Sequence, residues 1–179
     1  MITIVDYGMG NLGSIVNMFK RIGIATHVSS SKDEIERASK LLLPGVGAFD
    51  SAMNCLNSSG LREVLDFKVL EDEVPILGVC LGMQLLTNGS EEGTVPGLRW
   101  IPGVTKKFPQ SGTLKVPHMG WNTVEPSVSA SSEIIKDLEN EARFYFVHSY
   151  YVTVEDEKDS IYKANHGVEF DAAIKHKNV

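Results

Sequence analysis

A doubly wound α/β fold, a mostly parallel sheet with an antiparallel extension, is what these 179 residues predict. Three observations predict it. Short apolar runs alternate four times with helix-spaced segments through the first half of the chain. The turns closing the first, third and fourth runs are rich in glycine, as where strands hand the chain to helices at the ligand-binding end of such a sheet. The second half carries short β-favouring runs joined by turns, the mark of an antiparallel addition.

The elements follow in order. Ile2 to Tyr7 reads as a buried strand stopped by Gly8-Met9-Gly10. Leu12, Ile15, Val16, Phe19 and Ile22 then recur at helical spacing as far as Gly23. Ala25 to Ser29 is a second strand, Ser31 to Ala38 a short helix, and Leu41 to Leu43 a third strand ending at Pro44-Gly45-Val46-Gly47. Residues 48–56 and 61–70 pattern as helices, and Pro75 to Val79 as the fourth strand. Beyond these, residues 103–108, 114–116, 122–125, 143–154 and 160–165 read as antiparallel strands, with a helix over 132–138. The last residues, 171–179, read as the approach to another strand. A single domain over 1–179 is expected.

Composition narrows the function. A net charge of −6 gives no basic footprint for nucleic acid. No apolar stretch approaches the roughly 20 residues of a membrane span, and no signal peptide opens the chain. Two cysteines make no disulfide framework and fit a reducing cytoplasm. No histidine stands at metal-ligand spacing from a cysteine or another histidine, so neither metal nor cofactor is expected. His27, His166 and His176 lie among polar residues and read as solvated; Cys55 reads as core.

Residues 74–86 carry the chemistry. Gly78-Val79-Cys80-Leu81-Gly82 follows an apolar run and precedes a helix-like pattern, which is the Gly-x-nucleophile-x-Gly elbow with cysteine as nucleophile. Glycines flank Cys80 where side chains would collide in so tight a turn. A helix N-terminus behind the sulfur favours thiolate. The Leu81 N–H, with one from Gly45-Val46-Gly47, is placed to receive a forming oxyanion. Gln84 lies one helical turn beyond Cys80, on the same face.

Five segments together resemble the class I (triad) glutamine amidotransferases, and among them the glutaminase subunits of imidazole glycerol phosphate synthases. They are Asp6 to Leu12, Pro44 to Phe49, Gly78 to Gln84, Pro117 to Asn122 and Tyr145 to Tyr150, spread along the chain in the family's order. The resemblance implies a flavodoxin-like fold and a reaction in which Cys80 attacks the side-chain amide of glutamine. Ammonia leaves, and water hydrolyses the thioester to glutamate. It assigns Val46 and Leu81 to the oxyanion hole, and Gly47, Gln84, His148, Ser149 and Tyr150 to glutamine. It places Asn11, Met119 and Trp121 at the interface with a (β/α)8-barrel synthase, which receives the ammonia in histidine biosynthesis.

One family feature is missing. The relatives carry their catalytic histidine and glutamate in a His-Pro-Glu segment on a strand near the C-terminus, and these residues contain no His-Pro-Glu. The resemblance therefore implies a chain lacking the last strand and helix, and inactive as it stands. Three other readings stay open at this point: a subunit feeding ammonia to a sugar-amidinating synthetase, a non-catalytic module that docks on the synthase, and a cysteine hydrolase or peptidase.

Overall fold

The computed structural model describes residues 1–110, 114–128 and 142–179. The first half delivers the alternation that its apolar periodicity demands. Strand β1 (Ile2–Val5) leads to α1 (Leu12–Arg21), β2 (Thr26–Ser29) to α2 (Lys32–Glu36), and β3 (Leu41–Gly45) to α3 (Phe49–Ser58) and α4 (Arg62–Leu70). Then β4 (Ile76–Cys80) runs straight into α5 (Leu81–Leu85). The strands are parallel in the order β2-β1-β3-β4, the start of a flavodoxin-like sheet.

Opposite faces of this sheet are buried against different helices. Ile4 and Leu42 pack with Phe19 and the apolar stripe of α1. Val5, Leu41 and Leu43 face the other way, into a larger core with Ile35, Phe49, Met53, Leu56, Leu65 and Leu85. On the α1 side β4 is uncovered. Leu77 pairs with Leu42 and Val79 with Pro44, yet Leu77 and Val79 are exposed. Among the described residues β4 is also the edge strand, bridged at its start, where the Ile76 N–H donates to the Asn178 carbonyl at 3.1 Å.

The second half forms two antiparallel sheets. β5 (Gly103–Lys107), β9 (Tyr150–Val154), β11 (Glu169–Ile174), β10 (Ser160–Asn165) and β7 (Glu125–Pro126) make one, in that order; β6 (His118–Thr123) and β8 (Arg143–His148) make a separate ribbon. Several expectations are corrected. The run 143–154 is two strands with different partners, β6 for β8 and β5 for β9. Residues 114–116 are not a strand, and residues 171–174, read as the approach to a strand, already lie within β11 at Glu169–Ile174. The helix expected over 132–138 lies outside the described residues.

Candidate active site

The site begins where β4 ends. Cys80 has φ 57° and ψ −120°, a conformation rare for a residue with a Cβ and costing on the order of 1–3 kcal/mol. Its neighbours make the bend possible by having no side chains. A Cβ on Gly78 would come within 2.8 Å of the Met83 backbone and the Leu86 side chain. One on Gly82 would run into the Leu43 carbonyl oxygen. The elbow is thus enforced by close packing of α5 on β3 and β4, and it leaves Cys80 exposed. The helix behind it is shorter than its apolar pattern implies. Five residues make little more than one turn, so the macrodipole expected behind the sulfur is small.

Beside the elbow, Gly45 pairs directly with Cys80 across β3 and β4. A Cβ on Gly45 would approach the Gly82 nitrogen to 2.6 Å, so the end of β3 is pressed against the start of α5. Val46, exposed, and Gly47, at φ +91°, continue from that contact. Tyr7 holds the loop from below: its buried hydroxyl donates to the Pro44 carbonyl at 2.7 Å. Burial pushes the Tyr7 phenol well above its ordinary range, so it stays a donor. From the far side, the Glu92 carboxylate accepts the Phe49 N–H at 2.9 Å and fixes the start of α3.

The third wall is the break at Ser149. Here β8 leaves one sheet and β9 joins another, and three hydrogen bonds fix the bend. The Ser149 carbonyl accepts from the Phe108 N–H at 3.2 Å. The Tyr150 carbonyl accepts from His148 Nδ1 at 2.8 Å and from Gln84 Nε2 at 3.3 Å. Gln84 is only 8% exposed, so it bridges α5 to the bend rather than standing in solvent. A cavity of about 440 Å³ opens here, and Cys80, Gln84, His148 and Tyr150 line its polar end. Most of the rest is apolar, walled by Leu77, Val79, Phe144, Ala172 and Ile174, with Asp171 beside them.

With that geometry in place, the likeness to known proteins is decisive. The family model for glutamine amidotransferase class-I matches residues 3–179. This chain belongs to the class I glutamine amidotransferases. The imidazole glycerol phosphate synthase subunit HisH of Bdellovibrio bacteriovorus is 48% identical over 182 residues, spanning all of this chain and 88% of its own length. HisH 2 of Pseudomonas aeruginosa, also named a subunit of that synthase, is 46% identical with the same coverage. The fold is shared more widely. The structure of PurLQS from Thermotoga maritima superposes with a TM-score of 0.66 at 13% identity, over 96% of this chain and 76% of that one.

In this amidotransferase the interface candidates stand apart from the cavity's polar end. Asn11 is exposed and caps α1, its side-chain oxygen accepting the Ser14 N–H at 3.2 Å. Met119 and Trp121 are 62% and 65% exposed on β6. Register pairs Met119 with Val147 and Trp121 with Tyr145, so four large apolar side chains share the outer face of the ribbon.

Two residues near the site, Tyr7 and His118, are not singled out by sequence. Tyr7 anchors the Pro44 loop; its place at the end of the apolar run Ile2 to Tyr7, beside the Gly8-Met9-Gly10 turn, is the available signal, although β1 itself ends at Val5. His118 packs inward from β6 and lies 2.9 Å from His148 Nε2. Burial, then the nearby His148 and His166, lowers its pKa from 6.5 to about 4, and burial also lowers that of His148. His166 corrects the expectation of a solvated ring: it stacks on His118 at 4.2 Å, and its Nε2 bonds the Lys115 carbonyl. His176 is likewise engaged, with Asp159 at 2.9 Å. Among the described residues no cluster of three His, Cys, Asp or Glu could hold a metal, and no helix is long and apolar enough to cross a membrane.

Proposed function

We propose that this chain is the glutaminase subunit of imidazole glycerol phosphate synthase. The observation that carries the reading is Cys80 held at positive φ in a glycine elbow, facing a cavity it shares with Gln84, His148 and Tyr150. The sulfur attacks the side-chain carbonyl carbon of glutamine and the oxygen takes up the negative charge. The N–H groups of Leu81 and Val46 receive that oxyanion. Collapse of the adduct breaks the C–N bond, the nitrogen leaves as ammonia on gaining a proton, and water cleaves the thioester to glutamate. Gly47, Gln84 and the His148-Ser149-Tyr150 backbone hold the substrate's amino-acid end.

The synthase assignment draws on the relatives, which are named as subunits of that enzyme. The outer face of the β6–β8 ribbon, with Asn11, supplies the docking surface for a (β/α)8-barrel partner. An apolar patch of this kind on an edge ribbon is the expected mark of a protein interface. Cytoplasmic residence belongs to the same reading, in keeping with two free cysteines.

Among the described residues, neither His148 nor Asp171, which line the cavity, is free to shuttle the proton. His148 is the histidine lining the cavity, and both its ring nitrogens are committed, to Tyr150 and to His118. Asp171 also lines it, but its oxygens accept from Ser160 and the Val154 N–H. The test mixes a preparation of verified mass with a (β/α)8-barrel synthase subunit and measures association and glutamate release. Association with no more glutamate than a Cys80→Ala control is expected. Normal turnover would overturn the shuttle argument, and absence of association would overturn the partner assignment.

A further inference from the structure

The inward face of β6 carries a hydrogen-bonded chain that runs to the bend at Ser149. Asn122 Nδ2 lies 3.3 Å from His118 Nε2, His118 Nδ1 lies 2.9 Å from His148 Nε2, and His148 Nδ1 lies 2.8 Å from the Tyr150 carbonyl oxygen. Its direction is fixed by the last member. A carbonyl only accepts, so His148 must carry its proton on Nδ1 and present a bare Nε2. That nitrogen requires a donor, so His118 also carries its proton on Nδ1. The bare His118 Nε2 then takes a hydrogen from Asn122. Asn122 has no freedom to turn: its second amide hydrogen goes to the Asn165 carbonyl at 2.9 Å, and its oxygen accepts the Thr123 N–H at 2.9 Å. Phe108, Phe146 and Phe170 pack around the two rings, with Phe108 5.2 Å from His148 and Phe146 stacked 4.7 Å from His118.

We propose that His118 and Asn122 are positioning residues for glutamine binding: they fix the tautomer and orientation of His148, which holds the Tyr150 peptide against Gln84 beside Cys80. The proposal rests on the glutamine reading for its substrate, but the relay itself does not. Neither residue touches the cavity, so neither is a catalytic residue. Their effect reaches the substrate only through the bend.

Two measurements test this. Long-range ¹H–¹⁵N spectra of the histidine rings in the full chain at pH 7.5 are expected to show the Nδ1–H tautomer at both His118 and His148; an Nε2–H tautomer at either ring overturns the relay. The second is saturable alkylation of Cys80 by a chloroketone analogue of glutamine. His118→Leu and Asn122→Ala should each raise the half-saturating concentration about tenfold, the scale of one lost hydrogen bond, with the limiting rate unchanged. His118→Asn, whose amide nitrogen stands near the Nδ1 position, should restore most of the affinity. Iodoacetamide, which needs no amino-acid site, should react alike with all four proteins. Unchanged saturation in both damaging variants overturns the proposal, and so does equal damage from His118→Asn and His118→Leu. If His118→Leu does not fold, the partly exposed Asn122 carries the comparison. Failure of the unaltered chain to saturate would instead overturn the glutamine reading, and the ring spectra would still judge the relay.

Discussion

Gly45 and Cys80 sit opposite each other at the ends of β3 and β4, and there is no room between their strands and α5 for a side chain on Gly45. That contact makes the elbow a product of packing. It also keeps the Pro44–Gly47 loop beside Cys80, where the proposed oxyanion would form.

Gly82→Ala should therefore act on stability as well as on the site. Its Cβ would collide with the Leu43 carbonyl in the middle of the sheet, where backbone cannot easily give way. A loss of about 2–4 kcal/mol in urea unfolding is expected, at the upper end for overpacking. Gly89→Ala, with nothing within 4 Å of its added Cβ, serves as the control.

Strain at Cys80 has its own signature. At φ 57° and ψ −120°, removing the Cβ relieves the backbone whereas shortening the side chain does not. Cys80→Gly should unfold at higher urea than Cys80→Ala, by about 1 kcal/mol, although glycine gives the unfolded chain more freedom. Equal stabilities would show the elbow to be relaxed.

These two cases show what the sequence makes legible. A tight strand-to-helix turn excludes side chains, and the exclusion is written directly into Gly78, Gly82 and Gly45. The four apolar runs likewise announce a sheet buried on both faces. The break at Ser149 leaves no such trace. Residues 143–154 are β-favouring throughout, and the chain changes sheets because two distant partners, β6 and β5, claim its two halves. His118 was missed for a related reason: its role depends on His148, thirty positions away, and only the β6–β8 register brings the rings together. The short α5 is hidden too, because Leu86 continues the apolar pattern although the helix ends at Leu85.

The histidine chain predicts an acid response. His118 has a folded-state pKa of about 4 against an ordinary 6.5, so it is neutral in the folded protein over a range where the unfolded chain binds the proton. Its contribution to stability is complete above pH 6.5 and is lost as pH falls toward 4. The slope is at most about 1.4 kcal/mol per pH unit from this ring. Thermal unfolding followed from pH 7.5 to 4 should show a shallower decline in His118→Leu than in the unaltered chain. Parallel curves would mean that other groups govern the acid limb.

The ribbon's outer face predicts a separation of binding from folding. Trp121 is exposed and meets Tyr145 edge-on at 5.8 Å, so Trp121→Ala should change stability by less than about 1 kcal/mol. The same substitution should weaken association with the proposed barrel partner by about 2 kcal/mol or more, as for a buried aromatic anchor. Calorimetric titration beside urea unfolding reads both quantities. A large stability loss with intact association would return Trp121 to the fold.

The most direct test is where a glutamine mimic attaches. Treated with a chloroketone analogue of glutamine, the protein should gain one adduct, mapped by peptide mass spectrometry to Cys80 and suppressed by excess glutamine but not by asparagine. An adduct on Cys55, or labelling of Cys80 that glutamine does not slow, would contradict the account.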